Sequence, residues 1–345
     1  YQTVMQRRQA KLWAALWLLI PAAVSVGLYQ FRENTKFREN TQEPSIRVLA
    51  VQPNLDPYRV KFEPSTYAEQ MRIFLKCTDS LEGTGLVVWP ETALPDYWVL
   101  GDGAPKNPWL DTLQNYVRNR PGLALMTGAS VVQLHGHRSG SPTYTFYNSA
   151  LGLGSVDSTE PLNINPWPAL YHKSKLVPGV ETLPGFLHIL DAWFEKFGGT
   201  SGGYTPQQDR TVLESDDGFR LAPAICYESI YGEHISRYFK KEANLMVIIT
   251  NDGWWQNTSG HKQHWLYARL RAIENRRWVA RSANTGISGF IDPMGNEVSP
   301  QPYDTEACIR FAIPIQLNAP TFYAQTGDIL SKLICAFLLG LWIWA

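Results

Sequence analysis

A long apolar run lies near each end of the chain, whereas the middle alternates between short apolar runs and polar breaks. From Leu12 to Phe31 the sequence reads LWAALWLLIPAAVSVGLYQF, with no charged residue. That is about the 20 residues an α-helix needs to cross ~30 Å of hydrocarbon. Trp13, Trp17 and Tyr29 lie towards its ends, where interfacial anchors belong, and membrane helices tolerate a proline such as Pro21. A second run, ILSKLICAFLLGLWIWA, starts at Ile329 and carries one charge, Lys332. The chain opens at Tyr1 and stops inside this apolar run, so both ends are expected to be cuts in a longer protein. The pattern predicts a juxtamembrane segment at 1–11, a transmembrane helix at 12–31, a linker at 32–44, a folded domain at 45–318, a connector at 319–328 and the start of a second span at 329–345. Basic residues lie on both sides of the first run, so charge assigns no orientation.

Within the domain, Ile46–Val51, Gly85–Trp89, Leu123–Ser130 and Leu245–Thr250 are short apolar runs of strand type. Thr66–Leu81, Leu110–Arg118, Ile230–Phe239 and His264–Asn275 have helical spacing. Ser288–Asp292 and Ala307–Ile313 are expected to pair as strands across the turn-forming Asp292-Pro293-Met294-Gly295-Asn296. Strands alternating with helices predict a layered α/β domain.

Composition sharpens this picture in three ways. With 345 residues, 44% hydrophobic and 18% charged, the chain supports a large buried core. Lys+Arg and Asp+Glu are both 31, and this balance excludes the basic excess of a nucleic-acid binder. Thirteen tryptophans and 12% aromatic residues suit a membrane interface or an apolar substrate. The four cysteines, Cys77, Cys226, Cys308 and Cys335, are scattered, so neither a zinc site nor a disulfide scaffold is expected. No glycine-rich phosphate loop occurs, and no cofactor or metal is expected.

Three segments carry chemistry. Leu86–Thr92 (LVVWPET) brings Glu91 to the end of a buried strand, where ligands bind in α/β sheets and where a carboxylate can serve as a base. Read alone, a solvated glutamate opening a loop is the more ordinary reading. Tyr171–Glu181 (YHKSKLVPGVE) places Lys173 and Lys175 on either side of Ser174, with Glu181 eight residues after Lys173. A lysine there can stabilise an oxyanion or simply face water. Ala222–Glu228 (APAICYE) ends a small-residue strand at Cys226, just where a helical turn can begin. Such a turn can expose a thiol and favour its thiolate, although packing in a core is the competing role. Packing or membrane burial is the expected role of the other three cysteines.

Taken together, a glutamate, a lysine and a cysteine at three strand ends, in that order, resemble the nitrilase superfamily. The segments VVWPETALP, YHKSKLVPGVE, AICYES, ITNDGWW, QHWLYARLRAIE, RSANTGIS and TFYAQTGD are most similar to its membrane branch, the apolipoprotein N-acyltransferases. The resemblance implies a nitrilase-like α-β-β-α sandwich flanked by transmembrane helices, on the periplasmic side of a bacterial inner membrane. It implies phospholipid as acyl donor, a diacylated apolipoprotein as acceptor and membrane lipid as surroundings, with no cofactor. Residue by residue, it assigns Glu91 as base, Lys173 as catalytic lysine and Cys226 as nucleophile, with Glu181, Tyr227 and Glu228 in support. Trp254, Trp255 and Trp265 are candidates to line the acyl pocket. Two departures stand out: Gly179-Val180-Glu181 replaces the family's Phe-Gly-Glu, and Lys61-Phe62 replaces a lysine-tryptophan pair. The triad alone also fits a membrane-tethered amidase or nitrilase acting on a small carbon–nitrogen substrate, or an inactive membrane-bound interaction module.

Overall fold

Neighbouring residues of the first strand, β1 (Ser45–Gln52), serve two different cores. Val48 and Ala50 join one apolar cluster, Leu49 and Val51 the other. This is the two-residue period of a strand buried on both faces. The same division holds in β2 (Gly85–Val88), where Leu86 and Val88 face one way and Val87 the other. The computed structural model describes residues 45–101, 105–138, 141–154, 169–182, 203–214, 220–315 and 319–344, together with residue 8 and part of 11–27. It divides into two units, Tyr1–Glu43 and Pro44–Ala345.

The second unit contains two sheets. The remaining strands are β3 (Tyr97–Leu100), β4 (Leu123–Arg138), β5 (Ser141–Gly154), β6 (Ala169–His172), β7 (Leu213–Glu214), β8 (Arg220–Ile225), β9 (Leu245–Thr250), β10 (Val279–Ala283), β11 (Ser288–Ile291), β12 (Glu297–Gln301) and β13 (Ala307–Pro314). One sheet runs β13-β1-β2-β4-β5-β6, with β3 also on β4, and the other β12-β11-β10-β9-β8-β7. In β9, LMVIIT, every residue is buried, as a central strand with parallel neighbours on both sides requires.

Helices cover the outer faces. The first two, α1 (Tyr67–Thr78) and α2 (Pro108–Arg118), place Met71, Phe74, Leu110, Leu113 and Val117 against Leu49, Val87 and Leu125. Two more, α3 (Gly232–Phe239) and α4 (Ser259–Asn275), bury Ile235, Phe239, Ala268 and Ala272 against the second sheet. Each large apolar side chain fully buried in this way contributes about 1.5–3 kcal/mol. The α2 helix starts where Asn107 accepts hydrogen bonds from the Trp109 and Leu110 amides, and Pro108 at its first position lacks the N–H that would go unpaired. The layers are therefore α-β-β-α, as expected.

Two expectations need correction. The turn at Asp292–Asn296 joins β11 to β12, not to the strand at Ala307–Ile313. The true partner, EVSPQ, is a polar edge strand containing Pro300, which an apolar-run criterion passes over. Strand β13 instead crosses to the other sheet and pairs antiparallel with β1 along its whole length. Second, Cys77 on α1 and Cys308 on β13 form a disulfide, with Cα atoms 5.6 Å apart. A pair 231 residues apart leaves no local spacing to read. After a short helix α5 (Phe322–Thr326), the chain ends in α6 (Ile329–Trp344), whose described apolar side chains, Leu330, Leu333, Phe337 and Trp342 among them, are exposed. Among the described residues, no helix is long and apolar enough to cross a membrane.

Candidate active site

Glu91 is held where β2 ends. The Pro90 carbonyl accepts from the Gly128 amide on β4 (3.1 Å), the Gly128 carbonyl accepts from Leu94 N (2.9 Å), and the backbone turns left-handed at Thr92 (φ 49°). Gly128 makes this possible: a Cβ there would lie 2.3 Å from Thr92 N and 2.6 Å from Glu91 Cα. Both are backbone atoms that cannot rotate aside. Gly128→Ala is therefore expected to lower stability by about 1–3 kcal/mol through overpacking. The same displacement of Glu91 should slow activity by about 100-fold. Thermal unfolding and turnover of the variant check both. From the other side, buried Lys61 donates to the Glu91 backbone carbonyl at 2.6 Å. Burial lowers the Lys61 pKa to about 8, against the pull of Glu91.

Lys173 follows directly after β6. Its ammonium is buried and donates to Glu181 Oε1 (2.8 Å) and Glu91 Oε1 (3.3 Å). Burial opposes the charge, but the Glu91 and Glu181 carboxylates outweigh it and hold Lys173 above the usual lysine range. Glu181 reaches it from a turn in which Gly179 adopts φ 80°, and its second oxygen accepts from the Val177 amide at 2.8 Å. In this chain the glycine of that turn comes two residues before the glutamate, and Val180 between them faces outward. Glu181 still meets Lys173. Lys175, by contrast, is exposed, with its ammonium 5.8 Å from the Tyr231 ring.

Cys226 begins a 3-10 turn directly after β8, with φ 50°. Of the two placements left open for Cys226, an exposed thiol or a packed one, the structure shows the packed one. Cys226 is buried, and burial, followed by the Glu91 charge, pushes its pKa up to about 12, while Lys173 pulls the other way. In the resting site it is a thiol, close enough to both charges to feel them. Its alkylation by iodoacetamide should rise about tenfold per unit from pH 7 to 10, with no plateau near ~8.5, because the thiolate is the nucleophile. Site-resolved mass spectrometry measures this, and a plateau there would contradict the assignment.

Glu228 ties the two loops together. Buried, it accepts from Ile225 N (2.8 Å) through Oε2, and from Tyr171 Oη (2.6 Å), Ser174 N (2.6 Å) and Lys175 N (3.1 Å) through Oε1. One carboxylate thus fixes the strand end before Cys226 to the loop after Lys173. Tyr227 is half-buried, edge-on to Tyr231 at 5.3 Å between ring centroids.

Glu91, Lys173 and Glu181 are therefore brought together, and Cys226 lies within reach of the charges of Glu91 and Lys173. The sequence reading missed Asn148, buried on β5, whose amide donates to Glu91 Oε1 (2.8 Å) and Glu181 Oε1 (3.2 Å). Its available signal was register: on β5 it shares a face with the core residue Ala150. The tryptophans separate. Trp265 is a core residue, its indole donating to Glu297 at 2.9 Å. Trp254 is exposed beside Tyr58 and Phe62, at 5.3 and 6.1 Å between centroids. Trp255 is also partly open to solvent, edge-on to His264.

Residues 47–321 match the family model of the carbon–nitrogen hydrolases. Among curated proteins, the apolipoprotein N-acyltransferase of Chlorobaculum tepidum is 30% identical over 353 residues, covering 96% of this chain and 62% of that protein. That of Rhodopseudomonas palustris is 31% identical over 351 residues, covering 98% of this chain and 60% of that protein. The chain thus spans about three-fifths of the length of these curated relatives. Among solved structures, Nit3 of Saccharomyces cerevisiae, a member of the nitrilase superfamily, superposes with a TM-score of 0.55 at 17% identity, covering 79% of this chain and 91% of that one. An amidase of Nesterenkonia sp. AN1 superposes with a TM-score of 0.50 at 17% identity, covering 79% and 93%. These structures share its layered fold, and with four-fifths of its length matched by the family model the chain belongs to the carbon–nitrogen hydrolase family.

Proposed function

We propose that this chain is the catalytic part of an apolipoprotein N-acyltransferase, moving an acyl chain from a phospholipid to the N-terminal amine of an S-diacylglyceryl-cysteine lipoprotein. The observation that carries the proposal is similarity at about 30% identity across nearly the whole chain to relatives of that name. The apolar runs at 12–31 and 329–345 act as membrane spans around the 45–318 domain. The domain faces the periplasm of a bacterial inner membrane, and the Cys77–Cys308 disulfide suits such an oxidising compartment.

The chemistry follows from the site. The described donors to Glu91, Asn148 and Lys173, both bind Oε1, which leaves Oε2 to take the Cys226 proton. The thiolate attacks the phospholipid ester carbonyl, and Lys173 with a backbone N–H stabilises the oxyanion, a contribution of roughly 3–4 kcal/mol per donor in comparable sites. The intermediate collapses, the C–O bond to the glycerol oxygen breaks, and Glu91 returns the proton to that alkoxide. Lysophospholipid leaves a thioester on Cys226. The lipoprotein amine then attacks the thioester carbonyl and gives its proton to Glu91, the C–S bond breaks, Glu91 returns the proton to the leaving thiolate, and the amide departs from the regenerated thiol. This is acyl transfer in two half-reactions.

The first half-reaction should proceed without the acceptor. Incubating the protein with phospholipid vesicles should add the mass of one acyl chain at Cys226, removable by neutral hydroxylamine. A diacylated lipopeptide with a free amine should discharge it, and the same peptide acetylated at that amine should not. Release of ammonia from small amides, with no acyl-enzyme formed, would favour a hydrolase instead.

A further inference from the structure

Behind Cys226 lies a buried polar cluster that the chemistry above does not use. The Cys226 carbonyl accepts from Ser229 Oγ at 2.8 Å, and His264 Nε2 lies 3.0 Å from the same carbonyl and 2.8 Å from Ser229 Oγ. The other ring nitrogen of His264 lies 2.9 Å from Asp252 Oδ1. Arg281 Nη2 donates to Asp252 Oδ2 at 2.7 Å and sits 3.0 Å from His264 Nδ1, and its Nη1 donates to the Ile287 carbonyl. Thr250 Oγ1 donates to Asp252 Oδ1 at 3.0 Å. Asp252, His264, Arg281, Thr250 and Ser229 are all buried. Burial opposes the charge of Asp252, but Arg281 and His264 hold its carboxyl below the usual range.

A buried ion pair is a poor way to gain stability, because apolar side chains of equal volume do as well or better. What such a cluster supplies is a fixed direction. Cys226 needs one: its φ of 50° is a left-handed conformation that a residue with a Cβ adopts at a cost of about 1–3 kcal/mol and keeps only where its surroundings enforce it. Glu228 holds the strand end before it, through Ile225 N, and Ser229 and His264 meet the carbonyl of the peptide after it.

We propose that His264, itself oriented by Asp252 and Arg281, is a positioning residue for the nucleophile: by clamping the Cys226 carbonyl it keeps the left-handed turn formed and the sulfur aimed at Glu91 and Lys173. The inference rests on the proposed role of Cys226, so its test includes a measurement that needs no acyl donor.

Two substitutions divide the imidazole. The amide nitrogen of His264→Asn reaches as far as Nδ1, so it keeps the Asp252 contact and loses the Cys226 carbonyl. The longer His264→Gln reaches as far as Nε2 and restores the clamp. With the protein in phospholipid vesicles, His264→Asn should load acyl about 100-fold more slowly, with the half-saturating phospholipid concentration unchanged. Its Cys226 should also alkylate with iodoacetamide about tenfold more slowly. His264→Gln should recover most of both rates, even where the two variants melt at the same temperature. A His264→Asn protein that loads and alkylates like the wild type overturns the inference. So does a pair of variants that lose rate only in proportion to their loss of thermal stability. A wild type that never loads acyl, with alkylation still ranking Gln far above Asn, sinks the acyltransferase reading and leaves the positioning role standing.

Discussion

Cys226→Ala is expected to abolish acyl loading, by roughly 10⁴-fold or more, while leaving the domain folded. The loss is that large because a methyl group cannot form the thioester through which both half-reactions pass. The fold should survive because the change removes one sulfur atom from a site that is already small, and the carbonyl contacts of Ser229 and His264 involve the backbone, which alanine retains. Intact-mass analysis after incubation with phospholipid reads the first effect and thermal unfolding the second. Cys335→Ala should load normally. Cys77→Ala and Cys308→Ala should each still load measurably, with lower stability from the lost disulfide, about 2–5 kcal/mol. Near-normal turnover by Cys226→Ala would end the thioester mechanism.

Lys173→Met should be nearly as severe, and for two reasons. It removes a proposed oxyanion donor, which in comparable sites costs about 10²–10³ in rate. It also strips the positive charge from between two buried carboxylates, Glu91 and Glu181, which Asn148 already joins. Like charges so placed cannot both stay ionised, so one takes up a proton and the base is compromised. Breaking the buried cluster should also lower stability by about 3–5 kcal/mol. Lys175→Met, at an exposed position, should change stability by no more than about 0.5 kcal/mol. Single-turnover loading of the two variants, corrected for folded fraction, tests the assignment, and the reverse ranking would move the role to Lys175.

What could be read in advance depended on whether the signal was local. Strand β9 was read to the residue because its first five positions are an unbroken apolar run, closed by Thr250. The placement of Glu91, Lys173 and Cys226 at the ends of short strands was legible in the few residues around each, whereas their selection as candidates, Lys173 over Lys175 included, came from the family resemblance. Asn148 was not, because its importance comes from the pairing of β5 with its neighbours, which brings it to two glutamates 57 and 33 residues away. Strand β12 was missed because an exposed polar edge has no burial to impose a pattern. The burial of the thiol was left open for a related reason: a helical turn beside a cysteine can be seen in sequence, whereas the depth at which it is buried cannot.

The Cys77–Cys308 link has a consequence for biosynthesis. It closes a covalent ring on which Glu91, Lys173 and Cys226 all lie, so a single backbone cut anywhere between residues 77 and 308 leaves one molecule until a reductant is added. The ring also cannot close until residue 308 has emerged. By then all three residues have left the ribosome, and oxidation of the pair becomes a chemical timestamp marking a finished domain.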